Sequence, residues 1–417
     1  MGFARRVEVS TFYAGKNVSS DILKDMRSVT YNDVASGSSD SVSIDLKDDK
    51  KKWIGSWFPQ KGDWIKLSVA FLNWFGQNER HIHNFGDFQV DDVNASGWPT
   101  ALTINAAAMP QDNGFNAEKR TKTWENTTIQ QIASEIATRA GMSLFYGGDS
   151  VNIKSIEQTE QTDCKFLFNI CQSYGRAMKV FSNKIVIFDE EYFENLGIIC
   201  TFRETDMVKW SFNTTLAGTY TGASFQFSDP DDDKEYAVDI GDSTRTLKIN
   251  VTADSIYDAE LKGIAMLNNE NKKATTMSIT IKANPYVTAG QNVAIADMGE
   301  PDGKYYIEKV SLKISGDGAT QQTLKLRKIV PRIKNASVRA VEEAQEEAKG
   351  EGTQYVVVSG DTLWAIAKRF LGAGARYVEI YEANKDIIEQ TAREHGKADS
   401  SYGHWIWPGE VLTIPPK

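Results

Sequence analysis

The chain has 417 residues, 41% of them hydrophobic and 25% charged, a balance that excludes wholesale disorder and suits about two to four domains. A net charge of −9 argues against a large sequence-independent phosphate-binding face, so no nucleic-acid contact is expected. Three cysteines, Cys164, Cys171 and Cys200, form no C-x-x-C pair, which argues against a disulfide framework or a structural zinc site. Arg5 and Arg6 are followed by no apolar segment, so no secretory signal is expected, and no apolar run is long enough to span a bilayer. Synthesis in a cytoplasm is the expectation, with any action outside the cell reached by lysis or as part of a particle.

Residues 1–110 read as β. Ser41-Val42-Ser43-Ile44-Asp45-Leu46 alternates as a half-buried strand does, and strands at 64–69 and 88–93 follow between Gly, Asn, Asp and Pro punctuation. Residues 111–200 change character. Thr128 can cap a helix carrying Ile129, Ile132, Ala133, Ile136 and Ala137, ended by Gly141. Asp163 can cap a second, with Leu167, Ile170, Cys171 and Tyr174 on one face, and a hairpin follows with its turn at Ser182-Asn183. Residues 201–333 return to β, interrupted by a helix near 255–273, with strands expected at 277–282, 292–296, 305–314 and 322–329. Residues 334–353 form an Ala/Glu-rich linker, helical by propensity and without an apolar stripe. Residues 354–417 are compact and distinct.

The two β regions share a pattern. Gly62-Asp63-Trp64-Ile65-Lys66-Leu67 is similar to Gly290-Gln291-Asn292-Val293-Ala294-Ile295. Further along, Gly86-Asp87-Phe88-Gln89-Val90 through Val93 is similar to Gly303-Lys304-Tyr305-Tyr306-Ile307 through Val310. A glycine turn opens each strand and the order is the same, which fits either the turn-then-strand pattern that any two β barrels share or a duplicated barrel split by the α+β insert.

The last block opens with Tyr355-Val356-Val357-Val358 and the turn Ser359-Gly360-Asp361-Thr362. Leu363, Ile366, Ala367 and Phe370 then make a buried helical stripe. A second helix ends at Asn384, and Ile406-Trp407-Pro408-Gly409-Glu410-Val411-Leu412-Thr413-Ile414-Pro415 closes with a turn and strand, giving βααβ. This closely resembles a LysM domain, both in its Y-x-V-x-x-G-D-T-L-x-x-I-A opening and its P-G-x-x-L-x-I-P ending. The resemblance implies a shallow groove for N-acetylglucosamine-containing glycans, lined by Gly360, Asp361, Thr362, Leu363, Trp364, Ile406, Trp407, Pro408 and Gly409. Residues 386–405 are an insertion relative to many LysM sequences and leave from the rim of that groove. A LysM fold kept as a docking module therefore stands beside glycan binding.

Residues 1–333 resemble the late-control gene D family of phage tails, the baseplate hub proteins. The resemblance rests on Pro59-Gln60-Lys61-Gly62-Asp63-Trp64-Ile65, on Asp163-Cys164-Lys165-Phe166-Leu167 through Gly175 to Phe188, and on the two glycine motifs of the second β region, in that order. It implies a mainly β fold: a first β-barrel domain (1–110), an α+β insert (111–200), a second β-barrel domain (201–333), the linker (334–353) and the LysM domain (354–417). It also implies a structural part of a phage baseplate or contractile injection particle. Three copies would form a homotrimeric ring with six similar barrels, adapting a six-fold tail tube to a three-fold spike. The alternative is a cell-wall-binding or wall-cleaving protein anchored by its LysM domain.

The scan for catalysis returns no H-E-x-x-H, G-x-S-x-G, P-loop or Rossmann glycine pattern, so no catalytic residue and no cofactor are expected. His81 and His83 share a strand face but lack a third ligand nearby, and Asp229-Pro230-Asp231-Asp232-Asp233 lacks the glycine and glutamate of a calcium loop, so no metal site is expected. Trp53, Trp57, Trp64 and Trp74 suit either an interface or a barrel core.

Overall fold

The computed structural model describes residues 4–74, 76–109, 114–228, 234–340, 353–358 and 360–415. The chain begins with β1 (Arg6–Tyr13), β2 (Lys16–Asn17), the short helix α1 (Ser19–Asp25), β3 (Met26–Val34), β4 (Ser41–Lys47), β5 (Trp64–Leu72), β6 (Arg80–Ser96) and β7 (Ala101–Ala107). The insert holds β8 (Lys119–Thr128), α2 (Ile129–Arg139), β9 (Ser143–Tyr146), β10 (Asn152–Thr162), α3 (Asp163–Ser173), β11 (Ala177–Phe181), β12 (Lys184–Phe188) and α4 (Glu190–Asn195). Next come β13 (Ile198–Phe202), β14 (Met207–Thr214), β15 (Gly222–Ser228), β16 (Glu235–Gly241), β17 (Thr246–Lys248), α5 (Ile256–Asn271), β18 (Thr275–Lys282), β19 (Asn292–Ile295), β20 (Gly303–Ser315) and β21 (Thr320–Lys328). The C-terminal part has β22 (Ala336–Ala340), β23 (Thr353–Val356), α6 (Leu363–Phe370), α7 (Tyr377–Ala383), α8 (Lys385–Glu394) and β24 (Val411–Ile414). The chain divides into two compact units, Met1–Phe225 with Asp239–Ala336, and Gln226–Val238 with Ser337–Lys417.

The expected mainly β body with its α+β insert is present. Both β regions lie in one sheet of thirteen strands among the described residues, joined where β20 pairs with β3. The order of five strands repeats: β3-β4-β7-β6-β5 in the first region and β14-β18-β21-β20-β19 in the second.

The repeat holds residue by residue. Trp64 faces Gln89 and Gln89 faces Ala107; in the second repeat Asn292 faces Tyr306 and Tyr306 faces Arg327. The register slips between Val90 and Asp92, and again between Ile307 and Lys309. β3 slips between Met26 and Ser28 opposite Leu46 and Asp45, as β14 slips between Met207 and Lys209 opposite Ile281 and Thr280. Paired bulges at matching places are inherited features of a strand pair, not noise in its pairing. The glycine turns match too. Gly62 N–H donates to Val90 O (2.9 Å) and Val90 N–H to Asp63 O (2.8 Å), as Gly290 N–H donates to Ile307 O and Ile307 N–H to Gln291 O (both 2.9 Å). Both glycines take a left-handed backbone, φ +89° and +85°.

Each repeat fills its own core. Val29, Ile44, Leu46, Ile65, Leu67, Phe88 and Leu102 pack in the first, and Ile279, Val293, Tyr305, Ile307 and Leu324 in the second. Leu312 and Ile314 of β20 belong to the first core, so the junction with β3 is packed as well as paired. Of the four tryptophans singled out above, Trp53 and Trp74 are buried in the first core, whereas Trp57 and Trp64 are exposed at its rim.

The insert has a core of its own around Ile129, Ile132, Ile136, Phe166, Leu167, Ile170, Ile185 and Ile187. Thr128 caps α2 by accepting from Gln131 N–H. The cap of α3 is Thr162, which accepts from Lys165 N–H, and not Asp163. Asp163 is buried and spends its carboxylate on Arg139 (2.8 Å to a guanidinium nitrogen) and Gln158 (2.9 Å). The turn of the β11–β12 hairpin sits at Ser182 and Asn183, both with positive φ (47° and 56°), as a two-residue type I′ hairpin requires.

Two buried ionic groups tie the insert to the repeats. Lys179 on β11 reaches Asp33 (2.8 Å) and Asp40 (3.0 Å) beside β3. Glu194 on α4 receives Arg327 of β21 (2.5 Å) and Arg332 (2.8 Å), and neighbouring Glu190 receives Lys272 (2.6 Å). Burial pushes the Glu190 carboxyl up, but the Lys272 and Arg327 charges outweigh it and hold it at about 2.

Of the linker, Ala336–Ala340 is a strand, and the Ala/Glu-rich run after it lies outside the described residues, as does the acidic turn at 229–233.

Candidate functional site

The candidate glycan-binding surface lies on the C-terminal residues. β23 and β24 pair antiparallel, Thr353 facing Ile414 and Val356 facing Val411. The pairing continues past β23, with Val357 N–H donating to Glu410 O and Gly409 N–H to Val357 O (both 2.8 Å). Val357 therefore points into the core, and Val356 and Val358 are exposed on the strand's other face. Leu363, Ile366, Ala367, Leu371, Ile380, Tyr381, Leu412 and Ile414 complete that core.

Asp361 and Thr362 build the turn into α6, each in its own way. Thr362 Oγ1 accepts from Ala365 N–H (3.1 Å) and is the helix cap. Asp361 Oδ2 accepts from Val358 N–H (2.9 Å) and Tyr355 O–H (2.7 Å), closing the loop before the helix. Gly360 and Gly409 hold left-handed backbone, φ +95° and +98°, with open space where a Cβ would stand. Because Val357 pairs with both Gly409 and Glu410, the two loops named from the sequence flank one strand end.

The nine residues do not share one environment. Gly360, Thr362, Trp364, Pro408 and Gly409 are exposed, and Asp361, Ile406 and Trp407 are half-buried. Leu363 is 2% exposed and belongs to the core. Trp364 keeps 54% of its surface, with its indole over Gly374 and near Tyr377 (ring centroids 6.0 Å apart).

Residues 386–405 are folded, beginning with α8, whose Ile388 enters the same core and whose Ala392 is buried. The insertion then returns to the predicted groove. A Cβ at Gly403 would collide with Leu363 Cδ1, so glycine is what lets the chain lie on that side chain. His395 stacks on Trp407, centroids 4.6 Å apart at 21°. Ser400 is buried against Glu389, and Lys397 sits 4.3 Å over the Trp405 ring. Burial pushes the Glu410 carboxyl above its ordinary range, opposed by the Trp407 backbone and His395. Tyr402 and Trp405, 75% and 41% exposed, add aromatic surface that the LysM motif does not specify.

Elsewhere, His81 lies 3.3 Å from Glu79 and stacks edge-on with Tyr286, while burial first and His81 second lower the pKa of His83. Burial pushes the Cys171 thiol up to about 12, away from nucleophilic character. Among the described residues no cluster of three or more His, Cys, Asp or Glu is arranged to hold a metal ion, and no helix is long and apolar enough to cross a membrane.

Residues 355–391 match the LysM domain family. The C-terminal residues are a LysM domain. The match ends inside α8, so the second half of the insertion, with Gly403 and Trp405, lies beyond it. The chain is also similar to phage proteins. It is 25% identical over 173 residues to the probable baseplate hub protein of Escherichia phage 186, covering 41% of this chain and 42% of that protein, so the chain spans less than half the length of that relative. The fold is that of two solved tail proteins. The 43 kDa tail protein of prophage MuSo2 from Shewanella oneidensis superposes with a TM-score of 0.59 at 13% identity, covering 77% of this chain and 98% of that one. The tail protein from Neisseria meningitidis MC58 gives 0.59 at 13%, covering 78% and 97%.

Proposed function

We propose that this chain is a structural, non-catalytic hub of a phage or phage-tail-like baseplate, in which three copies form a ring between tail tube and spike and the LysM domain projects a wall-binding or docking module. The observation that carries this reading is the five-strand repeat in matched register. A chain with two equivalent repeats lets three copies present six similar surfaces to a tube while keeping three-fold symmetry toward a spike. The likeness to the hub protein of phage 186 and to the two tail proteins supports it. Native mass spectrometry of the purified chain tests it: a trimer is expected, and a monomer at every concentration would overturn it.

For the LysM domain, exposed Gly360, Thr362, Trp364, Pro408 and Gly409 are the residues we assign to N-acetylglucosamine-containing glycan, with Trp364 as a stacking face. Gly403 on Leu363 and His395 on Trp407 favour a second reading, in which the insertion fills this groove and the domain docks within the particle. Pull-down of folded 354–417 on purified peptidoglycan supports the first reading, and its absence, together with failed particle assembly on deletion of 354–417, supports the second. Zymography against cell walls should show no clearing, whereas a reproducible cleared band would favour the wall-cleaving alternative.

A further inference from the structure

We propose that neighbouring copies join edge to edge, residues 92–96 of one against residues 211–215 of the next, by repeating between chains the β20–β3 junction found inside each chain. The inference rests on the hub-ring reading and adds to it the surfaces and their register.

Inside the chain, β20 changes partner half-way. Residues 303–306 pair with β19; from Lys309 onward the same edge pairs with β3, Lys309 facing Val34 through Ser315 facing Ser28. The first repeat has the same parts. β5 pairs with β6 only as far as Gln89, the counterpart of Tyr306. Beyond it, among the described residues, no strand pairs with that edge of β6. β14, the counterpart of β3, ends the sheet with β18 as its sole strand partner among the described residues. Each chain therefore contains one complete junction and, on opposite repeats, the two halves of a second.

The side chains fit the template. In the junction, Val310, Leu312 and Ile314 are each 3% exposed, facing Asp33, Tyr31 and Val29. By the repeat's register Val310 and Leu312 correspond to Val93 and Ala95, while Tyr31 and Val29 correspond to Phe212 and Trp210. Where Val29 is 1% exposed, Trp210 keeps 40%, and adjacent Val208 keeps 58%. Apolar residues on an unpaired, untapered edge strand are a liability unless a strand covers them. In the junction Ser311 Oγ donates to Asn32 Oδ1 (3.0 Å); the corresponding residues are Asn94, whose Nδ2 donates to Asp92 (2.8 Å) and whose Oδ1 can accept, and Asn213, whose amide can donate. The register is thus Asp92 with Thr215, Val93 with Thr214, Asn94 with Asn213, Ala95 with Phe212 and Ser96 with Ser211. One donor edge and one acceptor edge per copy make a head-to-tail interface, the class that forms a ring when its rotation closes.

Engineered cysteines in the full chain test the register. Facing Cα atoms across antiparallel strands lie about 4.5–5.5 Å apart, within disulfide reach. Co-expressed Asn94→Cys and Asn213→Cys chains should give a disulfide-linked dimer on mild oxidation, absent when either variant is oxidised alone. The displaced pair Asn94→Cys with Ser211→Cys should give several-fold less. In the unsubstituted chain, amide exchange at 92–96 and 211–215 should slow at least tenfold on assembly. A trimer that neither cross-links at this pair nor protects these amides would overturn the proposed interface and leave the ring reading standing. A chain that stays monomeric would overturn both.

Discussion

Replacing Glu194 by Ala should strongly destabilise the body. The side chain is 3% exposed, and its carboxylate receives both Arg327 and Arg332 at 2.5 and 2.8 Å. Arg327 is itself 3% exposed and also reaches Glu190 at 3.2 Å. Removing one carboxylate leaves Arg332, Arg327 and Lys272 around Glu190, with half-exposed Glu308, 3.3 Å from Arg327, as the other carboxylate in reach. Breaking a buried pair from one side costs about 3–5 kcal/mol, because the remaining charge stays desolvated. At about 2.1 cal/mol/K of unfolding entropy per residue, a body of roughly 320 residues shifts by about 1.5 °C per kcal/mol, so its melting temperature should fall by about 4–7 °C. Scanning calorimetry reads this directly, with the LysM transition as an internal reference. Glu191→Ala, on the same helix but with its carboxylate on exposed Lys334, should change the body's stability by less than about 1 kcal/mol. Equal, small shifts for both variants would refute the claim that α4 is held to β21 by charge.

Other outcomes follow from the same geometry. Gly62→Ala and Gly290→Ala should each cost about 1–2 kcal/mol in denaturant titrations, and by similar amounts, since both sites require positive φ and both have room for a methyl group. Glu190 is held at about 2 against its ordinary 4.5, so its stabilisation is fully present above about pH 4.5 and is lost as pH falls toward 2; the melting-temperature gap between the native chain and Glu190→Gln should shrink over that window. Glu410 is shifted the other way, so its neutral form is the favoured one: Glu410→Gln should raise the LysM melting temperature at pH 7, and the gain should vanish below the ordinary carboxylate range. Thr362→Ala should cost the LysM domain about 1 kcal/mol through the lost cap, and with Asp361→Ala should weaken any peptidoglycan pull-down.

Local chemistry was legible in the sequence where one signal dominated. Thr128 and Thr362 cap their helices, the Ser182-Asn183 turn closes its hairpin, and the alternation at 41–46 marks β4. Adjacent candidates misled it. Thr162 and Asp163 are both competent caps, and Arg139 and Gln158, brought to Asp163 by the fold, decide that its carboxylate is engaged elsewhere. In Tyr355-Val356-Val357-Val358 the apolar run hides its own phase, and the pairing of Val357 with Gly409 and Glu410 selects the inward residue. The repeat was visible only at its glycine turns. Ser41-Val42-Ser43-Ile44-Asp45-Leu46-Lys47 and Thr276-Met277-Ser278-Ile279-Thr280-Ile281-Lys282 occupy equivalent strands, but a short loop precedes the first and the excursion holding β15–β17 and α5 precedes the second. The β20–β3 junction joins residues nearly the whole body apart, and no local periodicity encodes such a pairing. At the candidate glycan surface the motif gave the loops, but not the insertion that settles on Leu363 and Trp407.

The central claim is that two equivalent repeats per chain build one ring. A cryo-electron microscopy map of the assembled chain tests it most directly. Three copies about one axis are expected, with six repeats at equal radius and residues 92–96 of each copy beside residues 211–215 of the next. An assembly with any other copy number, or with the two repeats at different radii, would contradict it.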